Sequence, residues 1–239
     1  MPSDASADQS FAQDERRLLA LLDRAGWAPK VIYDIGAAVG GWSEAIRAVC
    51  PDAAYHLFEP LADAVPMYRA ELALRLARVP GLTMHKVALG RRTGKATVHV
   101  ADDGWSSSLI DMSSQPNFNR KVSVPVYRLD DYVAEFHLPP PDFVKMDTQA
   151  TEHHIVAGGT RSIGQAKLLM IETWLSPEYG WRTPLLPGLM SRLKRLDFQL
   201  CELGGRYYDE RHRLYGVDAF FAKRDLLAEL APRLPTASW

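Results

Sequence analysis

Cysteine is scarce in this chain. Only Cys50 and Cys201 are present, too few for a disulfide framework or a zinc motif. Both read as small core hydrophobes, and their scarcity suits a reducing cytoplasm. No run of 18 apolar residues occurs, so no membrane span is expected. The opening MPSDASADQSFAQDERR has neither the basic start nor the apolar centre of a secretory leader. No block of Lys or Arg stands out. Basic residues number 28 and acidic ones 29, for a net charge of −1, which argues against a nucleic-acid partner. Internal repeats and low-complexity tracts are also missing. Apolar residues, by contrast, are plentiful. They make up 47% of 239 residues, enough for one α/β domain with a small insertion and a sizeable core.

The punctuation of the chain supports that class. Residues 1–10 are expected to be disordered. Residues 13–25 place Leu18, Leu19, Leu21 and Leu22 on one helical face, and Gly26 stops the helix. Residues 1–27 therefore read as a tail and helix, and 28–239 as a single domain. Strand-like runs at 31–35, 54–58, 82–88, 142–147 and 167–172 alternate with helical segments at 41–50, 62–78 and 151–158. That rhythm predicts βαβ units and a mostly parallel, doubly wound sheet. The stretch near 95–127 breaks it. Two further strands, 95–101 and 122–127, flank a polar loop, and read as an insertion at the sheet edge or a cap over the site. The end reads as an antiparallel hairpin, LDFQLCEL and VDAFFAKR around the turn GGRYYDERHRLYG.

The chemistry starts at VIYDIGAAVGGW, residues 31–42. Scored against G-x-G-x-x-G, it gives Gly36, Ala38 and Gly41. Alanine at the second position hinders backbone approach to a pyrophosphate. Asp34, two residues earlier, would repel one and favour a cationic ligand. Glu59 closes the next strand, where an acid accepts hydrogen bonds from ribose hydroxyls. The pair predicts a ribose-bearing ligand with a positive, phosphate-free tail, the shape and charge of S-adenosylmethionine. Either acid alone could be an ordinary strand-end acid beside a tight glycine turn.

The ordered segments YDIGAAVGGWSEAI, YHLFEPLADAVPMYR, LTMHKVALGRRTGKATVHV, GWSSSLI, VPVYRLDDYV, PDFVKMDTQATEHHIVAGG and KLLMIETW cover residues 31–174. As a set they resemble the FkbM-type family of S-adenosylmethionine-dependent methyltransferases. The resemblance implies a class I methyltransferase (Rossmann-like) α/β fold, with a seven-stranded sheet whose last strand is antiparallel. It implies methylation of an oxygen, often a hydroxyl of a sugar or a polyketide-like molecule. By position, Asp34, Gly36, Gly40 and Glu59 would hold the donor, with Ala37, Trp42 and Pro60 beside them. Val87, Ala88 and Leu89 would lie near its adenine. Asp147, Gln149 and Glu152 would face the reaction. The chain departs from the family at Gln149-Ala150, where Glu-Gly is common, and at Ala38, where an Asn-like residue is usual.

Methyl transfer to oxygen is an in-line displacement, with the acceptor oxygen held about 3 Å from the methyl carbon. A hydroxyl must also shed a proton, so a base or a bound divalent metal helps. Asp147, ending 142–147, is the candidate for either role, with Glu172 at the next strand end as its neighbour. Asp147 could instead cap the helix that follows. His153 and His154 do not have the i, i+4 spacing of a zinc helix; packing or solvated roles suit them, although one could be the base. Aromatic residues in 174–188 could stack on a sugar or hydrophobic acceptor, or cover the core or an oligomer interface. Trp105 and Ser106–Ser108 could bind a polar acceptor or simply turn the chain. The expected partner is a small-molecule or glycan acceptor. Two other functions remain open: a nicotinamide-dependent oxidoreductase, against which Asp34, Ala38 and the lack of a Tyr-x-x-x-Lys pair argue, and a non-catalytic S-adenosylmethionine-binding module.

Overall fold

A computed structural model of the chain describes residues 12–102, 105–180 and 183–234; the expected disordered segment 1–10 lies outside them. The first helix, α1 (Gln13–Arg24), is followed by β1 (Val31–Ile35), α2 (Gly41–Arg47), β2 (Ala54–Phe58), α3 (Pro66–Arg78) and β3 (Leu82–His85). Next come β4 (Ala88–Gly90), β5 (Gly94–Val100), β6 (Arg120–Arg128), α4 (Leu129–Glu135), β7 (Phe143–Met146), α5 (Glu152–Gly158) and α6 (Thr160–Gln165). The chain ends with β8 (Leu168–Trp174), α7 (Leu186–Lys194), β9 (Phe198–Tyr208), β10 (Leu214–Lys223) and α8 (Arg224–Leu230).

Seven strands form one sheet in the order β3-β2-β1-β7-β8-β10-β9. The first five are parallel, and β10 runs antiparallel between β8 and β9. This is the doubly wound, mostly parallel sheet with an antiparallel C-terminal hairpin that the sequence predicts. The central strands carry apolar side chains on both faces, because helices cover both. On one face Ile32, Tyr55, Phe143, Leu168 and Phe220 pack against α1, α2 and α8. On the other Tyr33, Ile35, Val144, Met146, Leu169 and Ile171 pack against α4, α5, α6 and α7. Each fully buried large side chain contributes about 1.5–3 kcal/mol. Among the described residues no helix is long and apolar enough to cross a membrane.

Several boundaries differ from the sequence expectation. The run 82–88 is two strands: Leu82–His85 joins the large sheet, and Ala88–Gly90 pairs with β6 in a separate three-stranded sheet, β4-β6-β5. One continuous apolar run thus serves two sheets, and periodicity alone cannot show the break. The second helix stops at Arg47, short of Cys50, and the third starts at Pro66, where proline's fixed φ suits a first turn. The expected hairpin turn is mostly strand, since β9 continues through GGRYY to Tyr208. Cys50 is buried as expected, but Cys201 is exposed. It lies on β9, an edge strand with no neighbour to cover it, and its thiol donates to the Phe220 carbonyl at 3.4 Å.

The end of β1 is welded to the end of β7. Asp147 N–H donates to the Ile35 carbonyl at 3.0 Å, and Gly36 N–H to that of Phe58 at 3.0 Å. Gly36 has φ +78°, and a Cβ there would sit 1.8 Å from the Asp147 carbonyl oxygen. Only glycine fits. Gly36→Ala is therefore expected to destabilise the protein by about 4 kcal/mol or more. Urea unfolding of the purified variant checks this; a loss below 1 kcal/mol would show that the two strand ends can separate freely.

Candidate active site

A cavity of about 190 Å³ opens at the carboxyl ends of β1, β2 and β7, the edge where such sheets hold ligands. Gly36, Glu59 and Pro60 form its base, Val87–Leu89 one wall, and Asp147–Gln149 another. Trp105 and Ser107–Leu109, from the link between β5 and β6, also line it. The insertion thus caps the site, and its small sheet packs with Leu61, Tyr68 and Leu72 as a third apolar cluster.

Four residues placed at the donor by resemblance do not line this cavity: Asp34, Ala37, Gly40 and Trp42. Ala37 is buried, and its N–H donates to Phe58. Gly40 closes the turn with φ +77° and precedes α2. Trp42 points into the core, edge-on to Phe143, with Nε1 donating to Glu15 at 3.3 Å. Asp34 lies beneath the surface, completely buried, accepting from Ser43 Oγ at 2.7 Å.

The charge of Asp34 is met from within the protein. Lys145 Nζ lies 3.1 Å from Asp34 Oδ1 and 3.6 Å from Asp147 Oδ2, and it donates to the Gly36 carbonyl at 2.8 Å. Asp34 therefore steadies the glycine turn through Lys145, and the carboxylate that meets the cavity at this point is Asp147. Register explains the pairing, since Asp34 and Lys145 are direct partners in the β1–β7 ladder. The sequence signal for Lys145 is a lone cation inside the apolar run FVKM.

Glu59 does line the cavity. Its two oxygens accept the backbone N–H groups of Ala38 at 3.0 Å and Leu61 at 2.8 Å. A carboxylate has further lone pairs for ligand hydroxyls. Burial outweighs those two hydrogen bonds and pushes the Glu59 carboxyl up to about 7. No lysine, arginine or histidine is found among the described residues that line the cavity.

At the end of β7, Gln149 joins the elements. Its amide Nε2 donates to Asp147 Oδ1 and to Glu172 Oε2, both at 3.0 Å. Its Oε1 accepts from the Tyr179 hydroxyl, and its carbonyl accepts from Ser108 Oγ at 2.7 Å. Asp147 and Gln149 line the cavity; Glu172 sits behind them. Burial first, and then Asp147, hold the Glu172 carboxyl well above its ordinary value. Its cross-strand neighbour Asp218 is raised to about 8 by burial, even though Tyr207 donates to both its oxygens at 3.0 Å.

Glu152 does not reach the cavity. One of its oxygens accepts both the N–H of Thr148 at 2.7 Å and its hydroxyl at 2.9 Å, so it fastens the loop that carries Asp147; burial raises it to about 7. His153 and His154 lie with rings 3.8 Å apart, outside the cavity lining, and burial lowers both. Of the aromatic loop, Tyr179 meets Trp174 edge-on at 5.0 Å, and Trp174 stacks on Tyr215 at 5.9 Å. No group of three or more metal-ligating side chains suited to a cation occurs among the described residues. The Gln149 amide lies between Asp147, the expected base or metal ligand, and Glu172. Sequence reasoning missed the contributions of Asp218 and Tyr207, which pair only because β9 and β10 run antiparallel.

The sequence profile of the methyltransferase FkbM domain matches residues 34–200. The chain is 25% identical over 183 residues to the 2-O-methyltransferase NoeI of Sinorhizobium fredii, covering 71% of this chain and 72% of that protein. A crystal structure of methyltransferase FkbM from Methylobacillus flagellatus aligns with TM-score 0.52 at 18% identity, over 81% of this chain and 43% of that one, so the chain spans less than half of that protein. The magnesium protoporphyrin IX methyltransferase of Synechocystis aligns with TM-score 0.51 at 12% identity, over 90% of this chain and 79% of that one. These two structures bear on the fold alone.

Removing the buried cation should expose its role. Lys145→Met leaves Asp34 buried without its counter-charge and is expected to cost about 3–5 kcal/mol. Denaturation at pH 7.5 measures it, and a neutral result would mean that Asp34 finds water or another donor.

Proposed function

Because the chain belongs to the methyltransferase FkbM domain family, we propose that it transfers a methyl group from S-adenosylmethionine to a hydroxyl oxygen of a sugar or other small hydroxylated acceptor. One observation carries the choice of donor: among the described residues, the cavity presents Glu59 and Asp147 but no basic side chain. A dinucleotide pyrophosphate would meet two carboxylates there with no cation to balance it. A ribose-bearing sulfonium suits the same charges. This observation disfavours the nicotinamide-dependent reading.

In this reading Glu59 accepts the ribose hydroxyls, Val87, Ala88 and Leu89 wall the adenine, and Pro60 borders it. Gly36 leaves room for the donor to approach the backbone. The donor supplies an electrophilic methyl group. Asp147, at the end of β7, takes the acceptor's proton, and general-base help of this kind is worth about 10²–10⁴-fold. Oxygen as the acceptor atom is supported by the 2-O-methyltransferase relative. The aromatic cluster Trp174, Tyr179 and Tyr215 backs the Gln149 side chain through the Tyr179 hydroxyl.

Calorimetric titration with S-adenosylhomocysteine, with NAD in parallel, is expected to show micromolar binding of the first and none of the second; the reverse would sink this reading. With a panel of monosaccharides and methyl glycosides as acceptors, Asp147→Asn is expected to lower turnover at least 100-fold while S-adenosylhomocysteine still binds. Unchanged turnover would remove Asp147 from the chemistry.

Glu59 sets a pH dependence. Ribose hydroxyls donate to the ionised carboxylate, so binding favours the deprotonated form of a group that titrates near 7 in the free protein. S-adenosylhomocysteine affinity should therefore rise as pH increases from 6 to 8 and level off above, with a proton released on binding at pH 6. Glu59→Gln should bind more weakly and flatten the curve; an unaltered slope in that variant would place the titration elsewhere.

A further inference from the structure

The Gln149 side chain bonds Asp147, Glu172 and, in the aromatic loop, Tyr179. Its amide orientation is fixed by chemistry. Only the NH₂ end of the amide can donate to both carboxyl oxygens, and the Tyr179 hydroxyl donates to the oxygen end. The backbone is also held in an uncommon shape. Gln149 has φ +56° and the following Ala150 +75°, the left-handed region that non-glycine residues seldom occupy. Ser108, reaching over from the cap, anchors the Gln149 carbonyl.

We propose that Gln149 is a positioning residue of the transfer, whose amide stands where a divalent cation would otherwise bridge Asp147 and Glu172, so that the reaction needs no metal. The inference rests on the methyl-transfer reading above. The two N···O distances of 3.0 Å show one donor group spanning both carboxyls. Asp147 Oδ1 takes this bond, Oδ2 lies 3.6 Å from Lys145 Nζ, and the residue lines the cavity. The step then balances. The acceptor hydroxyl oxygen attacks the methyl carbon, the electrons of the breaking C–S bond remain on sulfur, and the hydroxyl proton passes to Asp147 Oδ2. Glu172 stays behind the amide. Burial, and then the charge of Asp147, raise its proton affinity. Other charged or titratable groups around the pair are Lys145, Asp34, Glu152, Asp218 and Tyr179, and Lys145 is the cation among them.

Two variants of the full chain test this. Gln149→Met keeps the side-chain length but loses all three side-chain bonds. It is expected to lower kcat about 100-fold, with the acceptor KM changed less than threefold and S-adenosylhomocysteine still raising its melting temperature, which shows it folded. Gln149→Glu places a third carboxyl in the gap. Calorimetry with Mn²⁺ alone is expected to show binding by this variant and none by the parent protein. Parent turnover should also be unaffected by EDTA. Wild-type kcat in Gln149→Met, Mn²⁺ binding by the parent, or no Mn²⁺ binding by Gln149→Glu would overturn the proposal. The Mn²⁺ arm requires no acceptor, so it reads out even where no sugar is methylated, and the two failures remain distinct.

Discussion

Lys145 Nζ is packed between Asp34 and Asp147, with the Gly36 carbonyl as a third partner. Lysine is almost never this buried without a partner, and here its solvent shell is replaced by protein oxygens. Three separate pieces of the fold meet at that ammonium: the middle of β1, the glycine turn after it, and the end of β7. If the ion pair were absent, the turn would have nothing to hold its carbonyl inward, and Asp147 would carry its charge against a buried Asp34. The position of the site is thus set by the register of two parallel strands, because that register places Asp34 opposite Lys145.

Around this cation the chain collects more carboxyls than it can neutralise. Glu59, Glu152, Glu172 and Asp218 are all buried, and burial raises each of them. A core built only for stability would not gather such groups, since each buried charge costs several kcal/mol unless it is paired (about that order in real proteins). The solutions differ from one residue to the next. Glu59 is capped by two backbone N–H groups, Glu152 by Thr148, Asp218 by Tyr207, and Glu172 by Gln149. Groups whose environments push their titration apart in this way mark sites of proton transfer more often than structural clusters.

Much of this was legible in advance. The strand–helix alternation predicts the sheet, and Glu59 and Asp147 are visible as acids at strand ends in FEP and KMD. The family resemblance adds the wall at Val87–Leu89, which periodicity does not. What was hidden depends on tertiary pairing. Asp34 looks like a ligand contact until Lys145, 111 residues later, is brought opposite it by the β1–β7 register. Trp42 sits beside the glycine turn in sequence, yet the helix rotates it towards Glu15 and Phe143, away from the cavity. Position along a motif does not say which face a helical side chain takes. Asp218 lies in an apolar strand, and nothing local says that its cross-strand neighbour is Glu172.

The residues that depart from the family pattern, Ala38, Gln149 and Ala150, are among those with left-handed φ. Gln149 and Ala150 both take left-handed φ, where glycine would sit without penalty. Such conformations cost about 1–3 kcal/mol each in non-glycine residues and persist only where surrounding contacts fix them. Here those contacts are visible: Ser108 on the Gln149 carbonyl, Tyr179 on its amide oxygen, and Ala150 fully buried. The Ser108 anchor comes from the link between β5 and β6, which also lines the cavity. That link and the Asp147–Gln149 wall of the cavity are therefore joined by a hydrogen bond. A site whose donors and acceptors are fixed before the substrate arrives has little to reorganise during transfer, which is the condition under which electrostatic stabilisation is most effective. The strain at 149–150 is the local expression of that rigidity, and it sits at the point where the cap, the aromatic loop and the two carboxyls converge.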